Sequence, residues 1–282
     1  APATYQAKGR VTGLSLASSV EATTPATRIA QARAPVGVPG IRGLDASFDM
    51  TQAGGRATLA MASGALELPG VFEDPLLPLD RMSGTLQWQR EGERIQLSLP
   101  DLRFANADAE GSARLAWHTS DPAASGSRSR FPGVLDLQGR LDRADGTRVH
   151  RYLPLDIPQE VRHYVRDAVS KGRASEADFR LRGDLWDMPF KDPAKGEFRI
   201  AAKVQDVQYA YVPHEQNGRP PAWPALGSLS GDLVFDRAGM QVANARARLA
   251  AAPAVELLRG EARIPDLEHA VLSVDAQARG PL

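Results

Sequence analysis

The feature that most constrains the fold is a short segment that recurs along the chain: a glycine, then alternating apolar and polar residues, then a turn. A period of two places successive side chains on opposite faces of a strand, so Leu86 and Trp88 share one face. Many such segments, with almost no helical periodicity, predict a mainly β protein built on one long antiparallel sheet with two unlike faces. The clearest copies are residues 83–88 (SGTLQW), 111–117 (GSARLAW), 133–141 (GVLDLQGRL), 179–185 (FRLRGDL) and 230–235 (SGDLVF).

One segment departs from this pattern and predicts a short amphipathic helix at about residues 156–171. Asp156 is a candidate N-cap, and Gly172 supplies a stop signal. Between them, apolar residues recur at helical spacing. We expect this stripe to pack against the sheet as a plug or an edge cap. The stripe consists of Val161, Tyr164, Val165 and Ala168.

Three stretches rich in Pro, Ser, Ala or Thr interrupt the strand pattern and predict loops, at residues 17–39, 118–132 and 213–226. Residues 82–117 and 229–265 resemble two copies of a unit of three strands, and stacked copies extend a sheet. We therefore expect residues 1–282 to form one continuous β segment. Because the chain opens and ends in strand-like sequence, we also expect it to be an internal piece of a longer protein.

The composition argues against several classes of function. The 34 basic and 34 acidic residues cancel, and no segment forms the basic block that nucleic-acid binding requires. Cysteine is absent, which removes disulfides, zinc–thiolate sites, iron–sulfur ligation and thiol nucleophiles. No apolar run reaches the roughly 18–20 residues of a membrane-spanning helix. Nucleic acid is therefore not an expected partner.

Catalytic motifs are also lacking. The histidines are scattered without a pair at i, i+4, and there is neither a phosphate-binding loop nor a nucleophile elbow. Asp184 and Asp187, on either side of Trp186, could form a carboxylate pair in a glycan-active enzyme. The simpler interpretation is that they are strand-end residues entering the turn at Pro189. We therefore expect no enzyme activity, no cofactor and no metal site.

Two signatures, in this order, resemble the AsmA-like proteins of the YhdP branch. The first signature comprises Gly54-Gly55, residues 66–72 (LELPGVF) and residues 79–88 (LDRMSGTLQW). The second comprises Tyr152-Leu153-Pro154, the predicted helix, Gly172, residues 179–183 and Pro189-Phe190. Together they cover about residues 40–235, and the repeat style continues to Leu282.

The resemblance implies a bridge-like lipid transporter of the Gram-negative envelope. Such proteins are anchored in the inner membrane and cross the periplasm as a highly curved, open, taco-like β-groove. The groove carries phospholipid acyl chains towards the outer membrane and so serves outer-membrane biogenesis. This chain would be a periplasmic segment with its anchor outside it. The resemblance also allows for partner proteins at the inner and outer membranes.

The alternation of residues fits this function on physical grounds, because exposing acyl chain to water costs about 0.8 kcal/mol per CH₂ and a continuous apolar stripe offsets that cost. The alternative is a β-repeat structural or adhesin-like module, in which the same residues form an ordinary buried core and hold no lipid. Alternation selects the expected groove-lining residues. They are Leu86, Trp88, Ile95, Leu97, Leu99, Leu115, Trp117, Leu135, Leu137, Leu181, Leu185, Ile200, Val204, Leu233 and Phe235.

Overall fold

The fold is one open antiparallel sheet. A computed structural model describes residues 4–19, 37–155, 157–214, 223–269 and 271–281. In these residues thirteen strands form a single sheet, and each strand pairs with the next one in sequence. The first strand pairs only with the second and the last only with the twelfth, so the sheet is not closed into a barrel. The prediction of a mainly β, open antiparallel sheet is therefore confirmed.

The strands are long, and most of the connections between them are short. The strands are β1 (Gln6–Leu16), β2 (Gly40–Thr51), β3 (Gly54–Glu67), β4 (Leu76–Glu91), β5 (Arg94–Ala105), β6 (Ala109–His118), β7 (Val134–Asp145), β8 (Val169–Asp184), β9 (Gly196–Tyr209), β10 (Leu226–Asp236), β11 (Gly239–Leu249), β12 (Glu256–Ile264) and β13 (Ser273–Arg279). One α-helix, α1 (Gln159–Ala168), lies between β7 and β8. Short 3₁₀ helices occupy Gly146–Tyr152, Leu185–Asp187 and Leu267–His269.

The predicted loops are close to the observed ones. His118 still belongs to β6, and Leu226 already belongs to β10, because both residues pair with a neighbouring strand. Residues 20–36 and 215–222, in the first and third predicted loops, lie outside the described residues.

The helix is shorter than the predicted 156–171. It ends at Ala168 because Val169 pairs with Tyr209 and begins β8 directly. Gly172 is therefore a strand residue, with φ +146°, and does not stop the helix. Pro158 occupies the N-cap position without a side-chain hydrogen bond, and Asp156 lies outside the described residues.

The register gives the sheet two chemically different faces. Directly paired residues point to the same side, and the pairs Leu97–Trp117, Leu99–Leu115 and Leu137–Leu181 are all apolar. We call this side the apolar face. The residues between them point to the opposite, polar face, which carries cross-strand ion pairs such as Arg180–Glu197 (3.1 Å) and Arg199–Asp236 (3.4 Å).

Bulges bend the strands. Ser63, Glu176, Asp206 and Asn244 lie inside strands with φ between +51° and +60°. The pairing register shifts at or beside such residues, for example between Ser175 and Asp178. A β-bulge bends its strand and increases the local twist, so bulges repeated from strand to strand curve the whole sheet.

Only part of the apolar face is closely packed on itself. Leu44, Met61, Leu79 and Met82, from β2, β3 and β4, form a buried cluster. Partly buried neighbours from β1 to β5 surround it, among them Leu14 and Phe104. These residues lie on three strands that are neighbours in the sheet, and the described residues show no second buried cluster elsewhere on the face.

Glycines allow aromatic rings to lie close to the sheet. Gly139 is paired with Phe179, and Gly55 with Trp88. A Cβ atom placed on Gly139 would lie 2.2 Å from Phe179 Cζ and 2.7 Å from the carbonyl oxygen of Ser112. The ring therefore occupies the space that a side chain at Gly139 would fill and lies close against the sheet.

We predict that Gly139→Ala destabilises the protein by about 1–3 kcal/mol, because the new methyl group overlaps both an aromatic ring and a backbone oxygen. Urea unfolding followed by circular dichroism measures the change. Gly227→Ala is the matched control, since the nearest atom to its Cβ position is 3.9 Å away. Equal stability of the two variants would contradict this account of the glycine.

Candidate functional site

The apolar face brings together nearly all of the predicted groove-lining residues. One row across the strands runs Trp88, Leu97, Trp117 and Leu135, and each residue is paired directly with the next. A parallel row contains Leu99, Leu115, Leu137 and Leu181. On β9 and β10, Ile200 pairs with Phe235. Leu185 is the one predicted residue outside the strands, because it lies in a 3₁₀ helix after β8.

The predicted residues are half-buried, without exception. None of them belongs to the buried hydrophobic core of the protein. The described part of the chain contains one sheet and one α-helix, and that helix lies at the strand ends. The centre of the apolar face therefore presents large aliphatic side chains to an open space.

The face is more extensive than the sequence analysis predicted. In the first strands, Val11 pairs with Ala46 and Ala46 with Leu59. In the last strands, Val242 pairs with Ala262 and Ala262 with Val274. The same alternation marks all of these residues, so extending it to both ends of the chain would have found them. Twelve spacings of about 4.8 Å make the face about 58 Å long across the thirteen strands.

Strand connections form a lip along each side of the apolar face. We call the side formed by residues 119–133 and 185–195 the loop lip. There Trp117 Nε1 donates to the carbonyl oxygen of Pro132 (3.0 Å), and Phe131 stacks on the Trp117 ring at 6.2 Å. Phe190 is 0% exposed and lies over Gly183 and Gly196. Trp117 is thus on the predicted face, but the loop lip covers it.

We call the opposite side, formed by residues 68–75, 106–108, 146–155, 157–168, 210–214 and 223–225, the helix lip. The Tyr164 hydroxyl of α1 lies 2.7 Å from the Tyr209 hydroxyl of β9, and burial raises the pKa of both tyrosines. Ala168 is also buried. Half of the predicted apolar stripe therefore faces the sheet, whereas Val161 is 41% exposed.

An arginine of α1, which is not part of the predicted apolar stripe, is buried. Arg162 is 7% exposed, its Nε lies 3.2 Å from Glu73 Oε2, and its Nη1 donates to the carbonyl oxygens of Leu155 (3.4 Å) and Ile157. His163 Nε2 is 3.0 Å from the same carboxylate. Hydrogen bonds from His163 and Arg162 lower the pKa of Glu73. The helix is thus attached to the connection between β3 and β4.

The C-terminal end of α1 is attached to the segment that follows β9. Asp167 accepts from Arg166 Nε at 2.7 Å and lies 3.0 Å from His214 Nε2. These hydrogen bonds, Arg166 first and then His214, lower the pKa of Asp167 to about 2. The helix lip therefore links the connection before β4 to the connection after β9.

The two sequence signatures meet in space at the helix lip. Phe72, at the end of the first signature, packs edge-on against Tyr152 of the second at 6.3 Å, and a β-bridge joins Phe72 to Pro154. The Tyr152 hydroxyl donates to Asp108 (3.0 Å) and accepts from Asn106 (3.0 Å). The signature residues therefore hold strand connections together.

A comparison with protein families matches residues 3–282 to the YhdP protein family. The chain belongs to the YhdP family. This is an AsmA-like, transporter-type family related to lipid transport, and it is not an enzyme family. No curated protein and no solved structure matches the chain.

Membership of the YhdP family agrees with the structural role of the one candidate carboxylate pair. The pKa of Asp184 is lowered. Burial alone would raise it, but hydrogen bonds from the Trp186 amide, Ser125 and Ser120 outweigh the effect of burial. Asp187 accepts from Lys195 Nζ at 2.8 Å. Both carboxylates stabilise the loop lip.

The described residues offer one group of potential metal ligands, Asp266, Glu268 and His269. Lys191 Nζ already donates to Glu268 (2.7 Å) and to Asp266 (3.3 Å), so a cation of the chain itself already pairs with both carboxylates. Within the described ranges, no helix is long and apolar enough to span a membrane.

We predict that Asp167→Asn flattens the acid dependence of stability. Because the folded pKa of Asp167 is depressed to about 2, its contribution is present above its ordinary pKa of 3.8 and is lost as the pH falls towards 2. Between pH 4 and pH 2, the melting temperature of the wild type should fall more steeply than that of the variant.

Asp275→Asn, on the exposed strand β13, is the control and should retain the wild-type pH dependence. Parallel curves for the wild type and Asp167→Asn would show that this carboxylate does not help to hold the helix lip.

Proposed function

We propose that this chain is a periplasmic segment of an intermembrane phospholipid transporter and that its apolar face holds acyl chains. The observation that carries the proposal is the apolar face that runs across thirteen strands, with partly exposed leucines at its centre, opposite a face of paired charges. Membership of the YhdP family supports it. The resemblance adds an inner-membrane anchor outside this chain and transport to the outer membrane, with partner proteins at either membrane.

The energetic requirement of lipid transport fits a surface of this kind. Two ordinary acyl tails exposed to water would cost on the order of 25 kcal/mol, at about 0.8 kcal/mol per CH₂. Leu97, Leu115 and Leu137 offer aliphatic surface that is itself half-exposed. Contact between the tails and these side chains removes apolar area from water on both partners.

The length of the face favours a path over a single binding pocket. The hydrocarbon core of a bilayer is about 30 Å thick, so the tails of one leaflet reach about 15 Å. The apolar face is about 58 Å long across the strands, several times that reach. A lipid can therefore exchange one set of contacts for an equivalent set on the next strands without passing through water.

The alternative, a β-repeat structural or adhesin-like module, would require the same leucines to be buried. Such a module would bury Leu99, Leu115 and Leu181 in a core between two layers. These residues are half-exposed, and the described strands form one layer. The exposure favours the groove, and lipid analysis distinguishes the two hypotheses.

We expect lipid to accompany the protein when it is purified from envelope-containing cells without detergent. Mass spectrometry of the organic extract should find phospholipid at near-stoichiometric or higher ratio. Protein that carries no phospholipid, and that binds no fluorescent fatty acid after purification, would overturn the groove in favour of the structural module.

Substitution on each face provides a sharper comparison. We predict that Leu97→Asp with Leu115→Asp reduces bound phospholipid at least tenfold, because two carboxylates cannot remain hydrated against acyl chains. Both side chains are half-exposed, so the variant should keep its β-sheet circular dichroism.

Ser98→Asp with Ala116→Asp is the matched control. These residues pair with each other on the polar face of the same two strands and add the same charge. The control should retain wild-type lipid. If only the apolar-face variant unfolds, the leucines are core residues and the assignment of the face is wrong.

A further inference from the structure

The polar face carries a cleft where β10, β11 and β12 lie side by side. Its volume is about 560 Å³, and its lining includes Ser228, Arg246, Arg248, Glu256 and Leu258. The two arginines alternate along β11 with buried alanines, so they belong to the polar face. We call this site the arginine cleft.

Two bulges shape the arginine cleft, one on each side of β11. On β10, Ser228 has φ +50°, and the pairing register with β11 shifts beside it. On β12, the pairing with β13 passes over Leu258, which is 42% exposed. A β-bulge re-aims the side chain that it carries. A hydroxyl group and an aliphatic side chain therefore flank the arginines of β11.

The charges of the arginine cleft do not balance. Arg248 Nη2 lies 3.1 Å from Glu256 Oε1, and Arg279 Nη2 of β13 lies 3.3 Å from Glu256 Oε2. One carboxylate thus serves two guanidinium groups. Arg246 is exposed and forms no ion pair within the described residues. Three arginines and one glutamate leave an excess of two positive charges.

The chemistry of the arginine cleft fits a short acidic peptide. The planar guanidinium group of arginine binds a carboxylate through two parallel hydrogen bonds. A volume of about 560 Å³ is in the range of sites that hold ligands of many atoms and exceeds what one small anion needs. The exposed Leu258 offers an apolar contact that a simple anion does not use.

We propose that the arginine cleft docks an acidic peptide segment of a partner protein, in which an Asp or Glu neighbours an apolar residue. Arg246 and the free donors of Arg248 bind the carboxylates, and Leu258 contacts the apolar side chain. The inference goes beyond the proposed function and does not depend on it, because the cleft lies on the side of the sheet opposite the apolar face.

An array of immobilised pentapeptides of random sequence, probed with the purified chain, tests the class of ligand. Bound peptides should be enriched at least threefold in Asp or Glu next to Leu, Ile, Val or Phe. Raising the salt concentration from about 50 mM to about 300 mM should weaken this binding, since salt screens exposed charges. Bound peptides without enrichment in acidic residues would overturn the proposal.

The variant Arg246→Gln tests the site. It should weaken binding of the selected peptides at least tenfold in fluorescence anisotropy, and it removes no ion pair of the chain. Arg263→Gln is the matched control, because Arg263 is also exposed, on β12, and has no ion pair in the described part of the chain. Equal losses in the two variants would indicate a general attraction to positive charge and would overturn the proposal.

Lipid content separates this test from that of the proposed function. Both variants should retain the phospholipid of the wild type, because both arginines lie on the polar face. Loss of phospholipid from Arg246→Gln alone would contradict the placement of the arginine cleft on that face.

Competition distinguishes a peptide from other anions. Millimolar inorganic phosphate should displace less than half of a selected peptide. Leu258→Ser should weaken peptide binding at least threefold, whereas Leu267→Ser, at a leucine that is 40% exposed outside the cleft, should not. Complete displacement by phosphate with no effect of Leu258→Ser would make the cleft a simple anion site. Tighter binding of polygalacturonate than of any selected peptide would assign it to an anionic glycan. Either result would overturn the peptide.

Discussion

The constraint on which the structure depends is the cross-strand register of a single antiparallel sheet. Side chains alternate between faces with a period of two, so a slip of one residue in any pair of strands would transfer apolar residues to the polar face. The register avoids this across all thirteen strands, even where bulges interrupt the pairing. One face can therefore stay continuously apolar while the strands bend.

The signature residues of the YhdP family lie partly in strand connections and partly on the apolar face, where Leu86, Trp88 and Leu181 belong to both sets. In the strand connections, Phe72 meets Tyr152 at the helix lip, and Phe190 is buried at the loop lip. The apolar face is made mainly of Leu, Ile, Val and Ala, with a few aromatic residues such as Trp88 and Phe235. The signature residues thus hold strand connections together and also contribute to the apolar surface.

Sequence reasoning placed residues on a common face through local alternation, but it could not place the lips. Leu115 and Leu137 were assigned correctly to one face because strand alternation is local. Arg162 was missed because its partner, Glu73, is far away in sequence and a buried arginine on a helix has no local signal. The helix was predicted too long because the pairing of Val169 with Tyr209 overrides helical periodicity. The cover over Trp117 depends on how the connection that follows β6, residues 119–133, folds back over the ring.

The sequence by itself determined the strand content, the two unlike faces and the absence of cysteine chemistry, since these follow from residue order and composition alone. It could not determine whether the apolar face is open or buried. Alternation is the same in an open sheet, a barrel and a two-layer sandwich. Only the tertiary structure showed that β1 and β13 each have one unpaired edge and that the central leucines are half-exposed. Exposure depends on what packs across a face, and distant strands and loops decide that.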